Sequence, residues 1–460
     1  MKNLLPLLLI GFLFIACKDE PQIDSDDQNA IKKIYDQALT KGDSYEWLRD
    51  LTSNIGGRLS GSPEAELAVQ WGAELMRSLE FDTVYLQPVM VPHWVRGKQE
   101  SAHFISNKQI TTMEICALGG SIATPESGLQ APVVEVKSIE EVNKLGEAVK
   151  GKIVFFNRPF DATLINTFAA YGGCVDQRVN GAATAAKYGA IGVIVRSMSS
   201  SIDPYPHTGT MSYGDLPVEE YIPSAAISTQ SAEKLSHALK KDPNTEVYME
   251  QFCQNLDDAP SFNVVGELKG TTYPDKYITI GGHLDSWDLG DGAHDDGTGV
   301  VQSIEVLDLF KKTGIKPKHT LRAVLFMNEE NGLRGGKKYA ELAEANKEVH
   351  IAALESDAGG HTPRGFSFDP SGTHFDLLMS WAPLFEPYGA SQFTSGGSGA
   401  DIGPLKDGHI SLMGYRPDSQ RYFDYHHSTQ DTFDKVNRRE LVLGSASMTS
   451  LIYLIDQHIN

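Results

Sequence analysis

Apolar positions change their spacing along the chain, and each change marks a different kind of element. Residues 4–16 form a nearly unbroken apolar run. In "NAIKKIYDQALTKGDSYEWLRDLTS" (29–53), Ile31, Ile34, Tyr35, Ala38 and Leu39 recur at helical spacing. In "GGRLSGSPEAELAVQWGAELMRSLEF" (56–81), Leu67, Trp71, Leu75 and Leu79 return every four residues. Ser62 is a candidate N-cap there, and Pro63 suits the first turn. Both segments are expected to be core helices. No repeat of 20–50 residues is visible.

From about residue 120 to 258 short apolar runs replace this pattern. "KGKIVFFNRP" (150–159) reads as a strand, "GAATAAKYGAIGVIVRS" (181–197) as a helix, a Gly turn and a buried strand, and "IPSAAIS" (222–228) as a short strand. Few ionisable residues cluster in this segment. From Phe262 strands and helices alternate: "FNVVGEL", "YITIGG", a helix, "TLRAVLFM", a helix, "IAALES", and finally the helix "RRELVLGSASMTSLIYLIDQ" (438–457). Such alternation predicts an α/β sheet with helices on both faces. The N-terminal helices are expected on the same core. The domains are then a discontinuous unit, 29–119 and 259–460, interrupted by a smaller one at 120–258.

Composition leaves room for a large core, with 41% apolar and 22% charged residues among 460. The excess of 60 Asp+Glu over 40 Lys+Arg, a net charge of -20, argues against nucleic acid as a partner. Lys2, the apolar run Leu4–Ala16 and Cys17 predict a bacterial lipoprotein signal with its lipobox at 1–17, although Phe14 stands where Leu is usual. Residues 18–28 read as a solvated tether. The expected location is therefore outside the cytoplasm, anchored to the cell envelope through a lipidated Cys17, with plain secretion as the alternative. Cys116, Cys174 and Cys253 are too few and too widely spaced for a disulfide framework or a Cys-based metal site.

The candidate chemistry lies at strand ends in the last third. "GGHLDS" offers His283 and Asp285, "GAHDDGTG" Asp295 and Asp296, "LFMNEENG" Glu329 and Glu330, "LESDAGG" Asp357, and "YHHSTQDT" His426 and His427. One acidic loop after a strand is ordinarily a solvated turn, and a lone His is ordinarily surface or core. Five such motifs at successive strand ends make a site for a dication, and Zn²⁺ is the commonest ion for imidazole–carboxylate sets in hydrolases.

His283, Asp295, the Glu329–Glu330 pair, Asp357 and His427 match in order the five-ligand pattern of the dizinc exopeptidases that include bacterial leucyl aminopeptidases. "GGHLDSWDLGDGAHDDGTG", "NEENGLRGG", "ESDAGG", "GADI" and "HHSTQDT" most resemble the carboxypeptidase Q group of that family. The segment 120–258 resembles the protease-associated domain, a β-rich insert of secreted peptidases, read here as a substrate-access or dimer-contact module. The resemblance implies a mostly parallel mixed sheet, two zinc ions, short peptides as substrate and a possible homodimer.

It also implies roles that the chemistry supports. Asp295 would bridge two cations about 3.5–4 Å apart, with His283 and Asp357 on one and Glu330 and His427 on the other. A water between them would ionise near neutral pH. Glu329, pointing away from Glu330, would be the general base, and Asp285 would accept the second ring N–H of His283. Asp296 and His426 are neighbours of the ligands, and His294 would tune Asp295 or fill space. No Tyr precedes Asp401 where related aminopeptidases have an oxyanion donor, which leaves Tyr425 as a guess.

The expected activity is exopeptidase cleavage of dipeptides or short peptides with free termini; a broad aminopeptidase is the alternative. A one-zinc glutaminyl cyclase-like acyltransferase is disfavoured because both His283 and His427 are present. A receptor-like domain without catalysis is disfavoured because no ligand is missing. Serine chemistry is disfavoured because no G-x-S-x-G occurs.

Overall fold

The structure, a computed structural model, describes residues 25–459. The signal, Cys17 and tether residues 18–24 lie outside the described residues. Residues 25–28, expected in the tether, are instead the first turn of the helix Ser25–Lys41. Asp26 and Asp27 suit the positive end of that helix, and Asp27 pairs at 2.9 Å with His458 at the chain's other end. Among the described residues no helix is long and apolar enough to cross a membrane.

Eight strands form the main sheet, in the order 83–95, 254–268, 319–326, 273–283, 349–355, 411–417, 363–368, 392–395. The four from 319–326 to 411–417 run parallel, and the strands bordering them, 254–268 and 363–368, run antiparallel to them. Side chains alternate between faces: Leu325, Ala352 and Leu354 join the core beneath the helices 25–41, 298–313 and 438–458, whereas Val324, Phe326 and Ala353 face the helix 334–346. This is the expected mixed α/β sheet with helices on both faces.

The helix Pro63–Ser78 starts as predicted, with the Ser62 hydroxyl accepting the N–H of Ala65. Its buried face is not the predicted one. Ala65, Ala68, Val69, Gly72, Ala73 and Met76 face the sheet, whereas Leu67 is 50% exposed and Trp71, Leu75 and Leu79 lie at the margin. Small residues win because the helix approaches closely: a Cβ on Gly72 would lie 2.7 Å from Leu325 Cδ1.

The strands Thr83–Val95 and Gln254–Leu268 pair along their lengths and carry the chain out to a second eight-stranded sheet and back. That sheet contains the strands 101–106, 109–113 and 115–117, so the predicted boundary at residue 120 falls inside it. The hairpin 101–113 has a half-polar alternation that does not distinguish it from main-sheet strands in sequence. Two clusters fasten the second unit to the first. Leu59, Trp94, Ala117, Cys253 and Trp287 form one, and Phe160, Ala170, Cys174 and Met198 with Tyr422 and Phe423 form the other. Cys116, Cys174 and Cys253 are free and buried.

Candidate metal centre

Three neighbouring parallel strands place their carboxyl ends together, where α/β sheets build sites. His283 ends the strand 273–283, Glu329 and Glu330 follow 319–326, and Asp357 follows 349–355. Asp295 lies between the first of these and the buried helix 298–313. His427 comes from the turn after the helix Tyr422–Tyr425 and holds a left-handed φ of 60°. Such a conformation in a non-glycine persists where the surroundings enforce it.

The five predicted ligands converge. His283 Nε2 is 3.1 Å from Asp295 Oδ1 and 3.5 Å from Asp357. His427 Nε2 is 3.2 Å from Asp295 Oδ2 and 3.1 Å from Glu330. Each oxygen of Asp295 thus faces a separate imidazole–carboxylate pair. Asp295 Oδ2 and Glu330 Oε1 are buried without a hydrogen bond, which is costly for carboxylates unless a cation supplies the missing partner. Without one, protons serve instead. Burial opposes the charge on both rings, yet Asp295 and Asp357 hold His283 well above its usual pKa, and Glu330 with Asp295 holds His427 up at about 10. The residues present fit a pair of dications.

A second layer of buried carboxylates fixes these candidate ligands through their backbones. Asp296 accepts the N–H groups of His283 and of Gly299 in the first turn of the following helix, each at 3.0 Å. Asp431 accepts those of His294 at 2.7 Å and Asp295 at 3.0 Å. Asp285 differs from its expected role. The ring Nδ1–H of His283 donates to the backbone carbonyl of Asp285 at 2.9 Å, while the Asp285 carboxylate lies 3.8 Å from that nitrogen. The carboxylate instead accepts the N–H groups of Asn328 at 2.7 Å and Glu329 at 3.0 Å. With only one residue between them, the turn after the strand brings the carbonyl nearer than the side chain. The Asp285 carboxylate therefore holds the backbone of Glu329, and only its carbonyl holds the His283 ring. Fully buried Arg58 ties the intervening loop by donating to the carbonyls of Leu284, Gly56, Asp291 and Gly292.

Glu329 lies at the wall of a cavity of about 430 Å³ with Asp357, Glu330 and His427. Burial, Asp357 and Glu330 push its pKa well up, against the opposing charge of His283. His426 stacks on His427 at 3.5 Å, and its Nε2 lies 3.7 Å from Asp295. Burial and His427 keep it neutral. His294 is pushed down to about 3 by burial and His361, and its Nδ1 accepts the N–H of Gly360. It supports that turn as a neutral ring. Tyr425 stacks on His294 and is not among the cavity-lining residues, which argues against it as an oxyanion donor. Asp401 is buried, with neither oxygen hydrogen-bonded.

Sequence reasoning missed the insert's share of this cavity. Phe168, Tyr171, Arg178 and Thr210 line it, and none stands in a motif that could have revealed it. Asp431 did have a signal, since it ends the "STQD" stretch already singled out. A larger cavity of about 860 Å³ is lined by Arg96, Glu100 and Asp288, but these charges pair with one another at 2.6 and 3.1 Å and no predicted ligand reaches it.

The profile of peptidase family M28 matches residues 263–448, and that of the PA domain matches residues 124–235. Carboxypeptidase Q of Bos taurus is 34% identical over 422 residues, covering 92% of this chain and 86% of that relative. Carboxypeptidase Q of Homo sapiens is 34% identical over 442 residues, covering 96% and 91%. The crystal structure of a peptidase M28 precursor from Shewanella amazonensis superposes with a TM-score of 0.89 at 33% identity, covering 94% of this chain and 97% of that one. BSAP, a zinc aminopeptidase from Bacillus subtilis, shares the fold with a TM-score of 0.63 at 19% identity, covering 89% and 94%. The strand-end candidate residues, the inserted second sheet and identity along nearly the whole length agree: the chain belongs to peptidase family M28 and is a metallopeptidase carrying a PA domain.

Proposed function

We propose that the chain is an exported dinuclear zinc exopeptidase that hydrolyses dipeptides or short peptides with free termini, in the manner of carboxypeptidase Q. The observation that carries this reading is the division of Asp295, one oxygen toward His283 and Asp357 and the other toward His427 and Glu330. His283, Asp357 and Asp295 would hold one ion and Glu330, His427 and Asp295 the other. Imidazole–carboxylate sets suit zinc. Bound there, the ions would supply Lewis acidity and lower the pKa of a water to roughly 7. Glu329, at the cavity wall and outside both sets, accepts the proton of the attacking water and returns it to the leaving amine. Asp285 keeps that carboxylate in place through the Glu329 N–H.

Metal analysis is expected to find two zinc ions per chain, with activity lost on chelation and regained on adding zinc. One tightly bound ion with full activity would revive the cyclase-like reading. A panel of free, N-blocked and C-blocked dipeptides separates carboxypeptidase from aminopeptidase. Hydrolysis that tolerates a blocked C-terminus but not a blocked N-terminus would establish the aminopeptidase.

Export and anchoring rest on the sequence of residues 1–17. Cys17→Ala is expected to move the protein from the membrane fraction to the soluble one, because an acylated Cys17 is the proposed anchor. A variant that stays with membranes would place the anchor elsewhere.

A further inference from the structure

The two candidate ligand histidines take the partners of their second ring nitrogens from different domains. His283 Nδ1–H donates to the carbonyl of Asp285, two residues along the same segment. His427 Nδ1–H donates at 3.3 Å to the carbonyl of Thr208, which lies 219 residues away in the insert. That carbonyl also accepts from Arg178 Nη1 at 3.4 Å. A carbonyl can only accept, so the neutral His427 ring keeps its proton on Nδ1. Its Nε2, which faces Asp295 and Glu330, is then left to ligate.

Two further bonds make this contact a clamp. Thr208 N–H donates to the His427 carbonyl at 2.9 Å, and His207 Nδ1–H donates to the His426 carbonyl at 2.7 Å. These carbonyls belong to the peptide groups on either side of the His427 Cα. Gripping both holds the left-handed φ of 60° at His427 and aims its ring.

The insert side of the clamp is itself anchored. His207 N–H donates to Ser197 Oγ at 2.8 Å, and Thr208 Oγ1 to the Ala117 carbonyl at 2.8 Å. Gly119 N–H donates to the Gly209 carbonyl at 3.0 Å. Gly209 takes φ +134°, and a Cβ there would stand 2.8 Å from His427 Nδ1. His207 is 2% exposed, and its Nε2 is buried without a partner. The hydrogen-bonding capacity of that ring is thus spent on the His426 carbonyl.

We propose that His207, Thr208 and Gly209 are positioning residues for the ion assigned to Asp295, Glu330 and His427, so that the PA domain is a structural part of the metal centre as well as a wall of its cavity. This rests on the dinuclear reading above. The outer partners of metal-ligating histidines are worth about 10–100-fold in metal affinity. One ion therefore depends on the insert, whereas the ion assigned to His283, Asp357 and Asp295 does not. Contacts that merely glued the two domains together would not tell the ions apart.

The test reads stepwise zinc affinity on the full chain by chelator competition. His207→Phe keeps the ring's volume and removes the donor, whereas His207→Asn keeps an N–H near the position of Nδ1. Gly209→Ala sets a methyl against His427 Nδ1. His207→Phe and Gly209→Ala are each expected to weaken one ion by about 10–100-fold and to leave the other at wild-type affinity. The weakened ion should be the one that His427→Ala removes. His207→Asn should stay near wild type, and excess zinc should restore turnover to His207→Phe.

Hydrogen exchange on the wild type needs no variant and decides the matter even if a variant fails to fold. Coupling between a site and the element that shapes it is reciprocal, so loading zinc should slow exchange at residues 207–209. Exchange there that ignores zinc would overturn the proposal. So would equal weakening of both ions, no weakening of either, or a His207→Asn as impaired as His207→Phe. A wild type that binds a single ion would sink the dinuclear reading instead, and the response of that ion to His207→Phe would still decide the clamp.

Discussion

Glu329→Gln is expected to lower kcat by about 10²–10⁴-fold while leaving both metals and substrate binding in place. The substitution preserves size and a hydrogen-bonding oxygen but cannot take a proton. Neighbouring side chains at a strand end point apart, and here they part functions. Glu330 is buried with Oε2 3.1 Å from His427, inside a ligand set. Glu329 reaches the cavity wall, and its N–H is held by Asp285. Glu330→Gln should therefore weaken one metal, with activity partly restored by excess zinc. Kinetics and metal content on both variants decide the assignment. Loss of metal from Glu329→Gln with retention in Glu330→Gln would exchange the two roles.

Part of the candidate site was legible because His283, the Glu pair and Asp357 each follow a strand whose own pattern is strong. "YITIGG" and "TLRAVLFM" are apolar runs, and both are buried parallel strands whose ends carry His283 and the Glu pair. What lies one step further out was not legible. Asp285 was expected at the ring of His283, yet a carboxylate two positions away is no nearer in space than the intervening backbone. Its partners, Asn328 and Glu329, lie more than forty residues along the chain. Arg178 sits in "VDQRVNG", an ordinary amphipathic helix, and only packing of the insert onto Tyr422 and Phe423 brings it to the cavity. The helix 63–78 misled for a related reason. Periodicity identifies a stripe, and close approach to a sheet selects small residues over large ones.

Asp295→Ala is expected to cost more than any other single change in the site, because it removes a ligand from both sets at once. His427→Ala or Asp357→Ala should each strip one ion, since each belongs to one set. Asp295→Ala should leave neither ion bound after dialysis and no measurable hydrolysis. Stability supplies an independent readout. Metal that binds only the folded chain stabilises it by about 2.7 kcal/mol when its concentration is a hundred times its Kd. The native protein should therefore melt higher as zinc is added, and Asp295→Ala should not respond. The loss cannot come from the backbone alone, because the N–H of residue 295 remains available to Asp431 in the variant. One ion per chain retained by Asp295→Ala, with a zinc-dependent Tm, would mean that the two sets do not share this carboxylate. In that case His426, whose Nε2 already lies within 3.7 Å of it, would be the residue to test next as the second ion's ligand.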